Sequence, residues 1–207
     1  MKERPVIFNG EMVRAIIDGR KTQTRRVIAN VSPDNCIPLH KPTKTKDGIY
    51  THVMDAPGHG LCPFGQVGDR LWVRETFAAF DADWKHPGKP HDLKDGPWPN
   101  VVYPASVAKI PDGTCHPSIH MPRWASRITL EITAVRVERL NDISEEDAMA
   151  EGVAPSQHII TPPEALYRVG FLKLWQSIYG EESWRANPWV WVIEFCRVGD
   201  SAREVEQ

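Results

Sequence analysis

Eight consecutive residues, Gly19-Arg20-Lys21-Thr22-Gln23-Thr24-Arg25-Arg26, place four cations and two hydroxyl side chains directly after a helix stop. Cations at this density can hold a phosphate or a base edge, and they equally suit a solvated edge strand, where Lys and Arg discourage further pairing. In an extended chain Lys21, Gln23 and Arg25 share one face and Thr22, Thr24 and Arg26 the other, unless the turn at Lys21 is irregular. Further along, Arg74 and Glu75 can line a pocket or form a buried ion pair between strands. Trp72 and Trp124 can stack on a base or fill the core. Arg123, Arg127, Arg136 and Arg139 interleave with Trp124 and can form a local basic patch for RNA or a solvated face. Cys36, His40, Cys62, Cys115, His116 and His120 match no familiar zinc spacing, so no metal or other cofactor is expected, and the four cysteines, which form no CxxC pair, read as free thiols.

The composition limits what these residues can serve. With 207 residues and a formal charge of −2 there is no global attraction to nucleic acid or to an anionic membrane, so any polyanion contact must be local. No window approaches the ~18 apolar residues of a membrane span, and a cytoplasmic protein is expected. The length suits one domain, over 1–199, with a polar tail over 200–207.

The elements that must position the cluster follow from periodicity. Val6 to Phe8 reads as a strand, and Glu11 to Asp18 as a helix with Met12, Val13, Ile16 and Ile17 on one face, stopped by Gly19. Thr22 to Ile28 is β-rich, and Leu71 to Glu75 follows the Gly68-Asp69 turn signal as another strand. Arg127 to Leu140 is the clearest strand, with a change of phase near Ala134-Val135 that suggests a bulge. Ser144 caps a short acidic helix ending at Glu151 before Gly152. A main amphipathic helix runs from Pro162 to Gly180, its stripe Ala165, Leu166, Val169, Leu172, Trp175, Ile178 and Tyr179 assigned to the core, and Trp189 to Val198 is a buried final strand. Two irregular stretches, about 30–65 and 80–122, read as long surface insertions.

Gly19, Lys21 and Arg26 in the spacing G-x-K-x-x-x-x-R after the first helix resemble the signature of the ASCH domain family, relatives of the PUA RNA-binding domains. Gly68-Asp69 before Leu71-Trp72-Val73-Arg74-Glu75, the segment Ser144 to Ala148, and a last strand ending Val192-Ile193-Glu194-Phe195 continue the resemblance in order to both ends of the chain. Long members with Trp72-Val73-Arg74-Glu75 and Met121-Pro122-Arg123-Trp124-Ala125-Ser126-Arg127 look like proteins carried by phages and prophages, which admits an accessory role in phage assembly. The resemblance implies an α+β fold: a PUA-like small β-barrel with flanking helices and the two insertions.

Small bacterial members of the family are N4-acetylcytidine amidohydrolases whose motif G-R-K-T-x-T-x-R is matched by Gly19, Arg20, Lys21, Thr22, Thr24 and Arg26. Their lysine, threonine and glutamate map onto Lys21, Thr24 and Glu151 as catalytic residues. Arg26, Thr22, Trp72, Arg74, Glu75 and Trp124 are then the substrate-binding candidates. The residue types fit amide hydrolysis: a desolvated lysine can be neutral enough to take a hydroxyl proton, and a glutamate can activate water. The expected partner is a nucleoside or an RNA base, and the alternative is a non-catalytic module that binds RNA or a modified nucleotide.

Overall fold

The computed structural model describes residues 1–39, 48–89, 91–94, 96–110 and 114–199. His40 and the tail 200–207 lie outside the described residues. The chain runs β1 (Glu3–Ile7), α1 (Gly10–Ile17), β2 (Gln23–Val27), β3 (Cys36–Pro38), β4 (Tyr50–His52), β5 (Arg70–Arg74), β6 (Ala78–Phe80), β7 (Asn100–Val102), β8 (Thr129–Arg139), α2 (Glu145–Ala150), α3 (Leu166–Tyr179), α4 (Glu181–Arg185) and β9 (Trp189–Arg197), with short 3-10 turns between.

Local signals account for most boundaries. The Asn9 side chain accepts the Met12 N–H at 2.8 Å and starts α1. Ser144 does the same for the Asp147 N–H at 3.0 Å and starts α2. The first turn of α3 is capped at a distance: the Glu145 carboxylate accepts the N–H groups of Tyr167 and Arg168 at 2.6 and 3.0 Å, which ties α2 to α3. Gly180, at φ 84°, ends α3.

Five strands form one mixed sheet in the order β1-β5-β8-β9-β2, with β1 and β5 parallel and the other pairs antiparallel. The β8–β9 register shifts between Ile132 and Ala134. That bulge restores the phase, so Val137 faces the same core as Leu130 and Ile132. Strand β9 alternates cleanly. Trp191, Ile193 and Phe195 enter a core with Val6, Phe8 and the α1 residues Met12, Val13 and Ile16. Val190 and Val192 enter a second core on the opposite face with Leu140, Ile143, Ala148, Phe171 and Trp175 of the α2–α3 side.

The architecture is α+β as expected, but the expected barrel is not formed: the described sheets are open, and β1 and β2 are the free edges of the large one. Helix α1 joins these edges in sequence and turns its apolar face into the first core, and Arg26 Nη2 of β2 donates to the Ile7 carbonyl of β1 at 2.8 Å. The irregular stretches also hold more order than their composition announces. The first contains the hairpin β3–β4, and the second supplies β7, which pairs with β6, and Leu93 and Met121, which join Phe77, Ala79 and Ala125 in a third core. The α3 stripe is corrected as well. Phe171 and Trp175 are its buried residues, whereas Ile178 and Tyr179 are exposed and line a concavity with Pro5, Val6 and Ile7 of β1.

Candidate functional site

The turn after α1 is what brings Lys21 inward. Gly19 at φ 73° lets the chain fold back, so that the Arg20 and Lys21 N–H groups both bond the Ala15 carbonyl, at 2.8 and 2.9 Å. Lys21 then pairs with Glu151 in an isolated antiparallel bridge, and the Thr22 N–H bonds the Ala150 carbonyl at 2.9 Å. Lys21 Nζ donates to Glu151 Oε2 at 2.7 Å and to the Glu151 carbonyl at 3.0 Å, with side-chain exposures of 0% and 2%. Sequence positions 130 residues apart thus form a dry ion pair at the end of the sheet.

Arg25 completes the cluster. Its side chain is fully buried; Nη1 reaches Glu151 Oε1 at 3.3 Å, and Nη2 reaches Asp147 Oδ2 at 2.7 Å and Glu138 Oε2 at 2.9 Å. Arg136 binds the same Asp147 carboxylate at 2.9 Å and also pairs with Glu138 and Glu194. Gln23 donates to the Asp147 carbonyl at 2.8 Å. Lys21, Gln23 and Arg25 therefore all engage α2 and its end.

The electrostatics follow from this packing. Burial pushes the Lys21 ammonium below the ordinary lysine range of 10.5; the Glu151 carboxylate opposes that shift, and the Arg26 and Arg25 charges add to it. Burial acts to raise Asp147, but hydrogen bonds and charge from Arg25 and Arg136 outweigh it and hold the carboxyl below its ordinary 3.8. A buried lysine with a lowered ammonium beside a carboxylate is a pairing of groups that can exchange a proton.

Glu151 and Gly152 form part of the wall of a cleft of about 710 Å³ between α1, residues 152–157 and α3. Lys21 lies behind that wall: a Cβ on Gly152, whose φ is 74°, would come within 2.7 Å of Lys21 Cβ and 2.8 Å of Ala15 Cβ. Helix α3 is equally close to the opposite side, since a Cβ on Gly170 would stand 2.2 Å from the Ala154 carbonyl oxygen.

The remaining candidates are placed as follows. Thr24 is buried on β2 opposite Ile193, and the hydrogen bonds of the Lys21 ammonium go to Glu151, not to Thr24. The Thr22 side chain is exposed. Arg26 and Lys21 both approach the Phe8 ring, at 5.3 and 5.6 Å from its centroid. The other four have partners of their own. Glu75 is buried and held by Arg127 in two bonds of 2.8 and 2.9 Å, Arg74 donates to the carbonyls of Ser118 and Ile119, and Trp72 lies under the guanidinium groups of Arg74 and Arg123. Trp124 donates its indole N–H to the Leu93 carbonyl at 3.0 Å and packs on the third core. Among the described residues no three His, Cys, Asp or Glu side chains gather as a metal set.

Arg25, Asp147 and Gly152 belong to the site and were not among the sequence candidates. The alternation that groups Arg25 with Lys21 was a usable signal, whereas nothing local marks Asp147 as its partner. Comparisons with family models, with curated proteins and with solved structures gave no match to this chain.

Proposed function

We propose that this is an ASCH-type amidohydrolase that removes the acetyl group from N4-acetylcytidine or a related N-acylated nucleoside. The observation that carries the reading is the fully buried Lys21–Glu151 pair at 2.7 Å, with Glu151 on the wall of the large cleft. The lowered Lys21 ammonium supports it, because a neutral amine is the form that can accept a proton.

In this mechanism Thr24 Oγ1 adds to the acetyl carbonyl and its proton passes to neutral Lys21. Collapse of the tetrahedral adduct breaks the amide C–N bond, the cytosine N4 leaves with the proton from Lys21, and the acetyl group remains as an ester on Thr24. Water then attacks that ester, giving one proton to Glu151, which returns it to the departing threonine oxygen, and acetate is released. The chemistry requires Thr24 Oγ1 to come within reach of Lys21 Nζ once substrate is bound.

The rival reading, a non-catalytic reader of RNA, has weaker support, because the arginines that would form its patch are occupied internally. Arg123 pairs with Glu3, Arg127 with Glu75 and Arg136 with three carboxylates, while Arg139 donates to the Asn187 carbonyl and Asn35. The deciding experiment measures acetate release from N4-acetylcytidine by the wild type and by Lys21→Ala, Thr24→Ala and Glu151→Ala. We expect turnover in the wild type and a loss on the order of 10²–10⁴-fold in each variant. A wild type inert on a panel of N-acylated nucleosides would remove the reading.

A further inference from the structure

Glu151 receives a different cation on each carboxylate oxygen. Lys21 Nζ stands 2.7 Å from Oε2 and Arg25 Nη1 stands 3.3 Å from Oε1, and none of the three side chains is more than 2% exposed. The same guanidinium uses Nη2 to reach Asp147, one turn earlier on the same face of α2, and Glu138 of β8. A lysine in its place has a single ammonium and no such fork. The other charged groups around the pair are Arg26 of β2 and Arg136 of β8, the latter held by Asp147, Glu138 and Glu194 of β9. The remaining elements contribute no charge there: the Phe8 ring lies by Lys21, the Ala15 carbonyl of α1 accepts the Lys21 N–H, and the Phe171 ring of α3 lies by Arg25.

We infer that Arg25 is a positioning residue for the Lys21–Glu151 pair, the permanent counter-charge that holds the Glu151 carboxylate in place whenever Lys21 is neutral. Were the two groups alone, loss of the lysine proton would leave a carboxylate with neither a partner nor water, and that cost would keep the lysine charged. A guanidinium does not give up its proton in a protein. With Nη1 on Oε1, Glu151 has a cation beside it in both states of Lys21, and its second oxygen is free to take a proton from water in the state that the hydrolysis needs. The lowered Lys21 ammonium agrees: burial is its main cause, and the Arg26 and Arg25 charges act in the same direction. This role rests on the hydrolase reading for the use made of the neutral lysine, whereas the charge coupling does not depend on it.

NMR of the full chain carrying isotope-labelled lysine tests the coupling, with the Lys21 side-chain signal identified by its absence from Lys21→Arg and followed as pH rises. We expect the Lys21 midpoint to move up in Arg25→Gln, where Glu151 has lysine alone to pair with, and to return toward wild type in Arg25→Lys, which restores a charge without the fork. An Arg25→Gln midpoint equal to that of wild type overturns the inference, because an arginine that only braces the fold would change stability and leave the titration where it was. Should Arg25→Gln not fold, Glu138→Gln takes its place. Glu138 is partly exposed, and its loss leaves more of the Arg25 charge acting on the pair, so the Lys21 midpoint should fall; an unmoved midpoint again overturns the role. The pH dependence of kcat/KM for acetate release separates this role from the reaction itself. A midpoint that responds to Arg25 in a protein without turnover keeps the coupling and removes the hydrolysis. Turnover whose rising limb ignores Arg25 does the reverse.

Discussion

Arg25 shows how much a single buried charge can organise. Its guanidinium is shared among Glu151, Asp147 and Glu138, and its Nε is buried without a partner, so the side chain is held by its two terminal nitrogens. Replacing Arg25 with Met removes the counter-charge from carboxylates that have little access to water. Breaking a buried ion pair in this way costs roughly 3–5 kcal/mol, and we expect the urea midpoint of Arg25→Met to fall accordingly. A midpoint within the error of wild type would show that α2 moves aside and lets water reach Asp147 and Glu151. Lys21 is buried against the same Glu151, so its removal also strips a counter-charge from a dry carboxylate and should lower the urea midpoint in the same direction.

At the scale of elements, the site depends on a turn. Helix α2 ends at Ala150, and Gly152 takes the positive φ that carries the chain past Lys21. An alanine there would place a methyl group within 2.7 Å of Lys21 Cβ and 3.1 Å of Lys21 Cα, in a backbone conformation that alanine rarely adopts. We expect Gly152→Ala to cost at least about 2 kcal/mol in thermal or urea unfolding and to depress any Lys21-dependent activity, though no charge is removed. Unchanged stability would mean that α1 and residues 152–157 separate freely, contrary to the packing at Ala15. The elements that frame the cleft are coupled in a similar way, since Glu145 of α2 caps α3 and Gly170 of α3 lies against Ala154.

Across the whole molecule, the charge network between sheet and α2 gives a defined response to acid. The Asp147 carboxyl sits below its ordinary value in the fold and at 3.8 in the unfolded chain. The unfolded chain therefore binds more protons between those two values, and the stabilisation is complete above 3.8 and lost as pH falls through the folded value. We expect Asp147→Asn to be less stable than wild type at neutral pH and the difference to shrink below pH 3.8, read from urea midpoints on either side of it. A gap that stays constant down to pH 2.5 would show that the Arg25 and Arg136 contacts contribute nothing net to folding.

Much of the fold was legible because its signals are local. Asn9, Ser144 and Gly180 punctuate helices through their own side chains or φ, and the two-residue period of β8 and β9 reads directly as two buried faces. Lys21 and Glu151 were legible as candidates through family resemblance and through a negative charge at a helix end. What the sequence could not carry is where these residues meet. The Lys21–Glu151 pair joins positions 130 apart, and its dryness comes from α1, α2 and the sheet closing around it together. The same holds for the open sheet. A barrel and an open sheet share one strand pattern, and only the tertiary structure shows that β1 and β2 stay unpaired edges. Local chemistry determined which residues could act; the tertiary structure decided which of them lost their water, and burial is what lowers the Lys21 ammonium from its ordinary value.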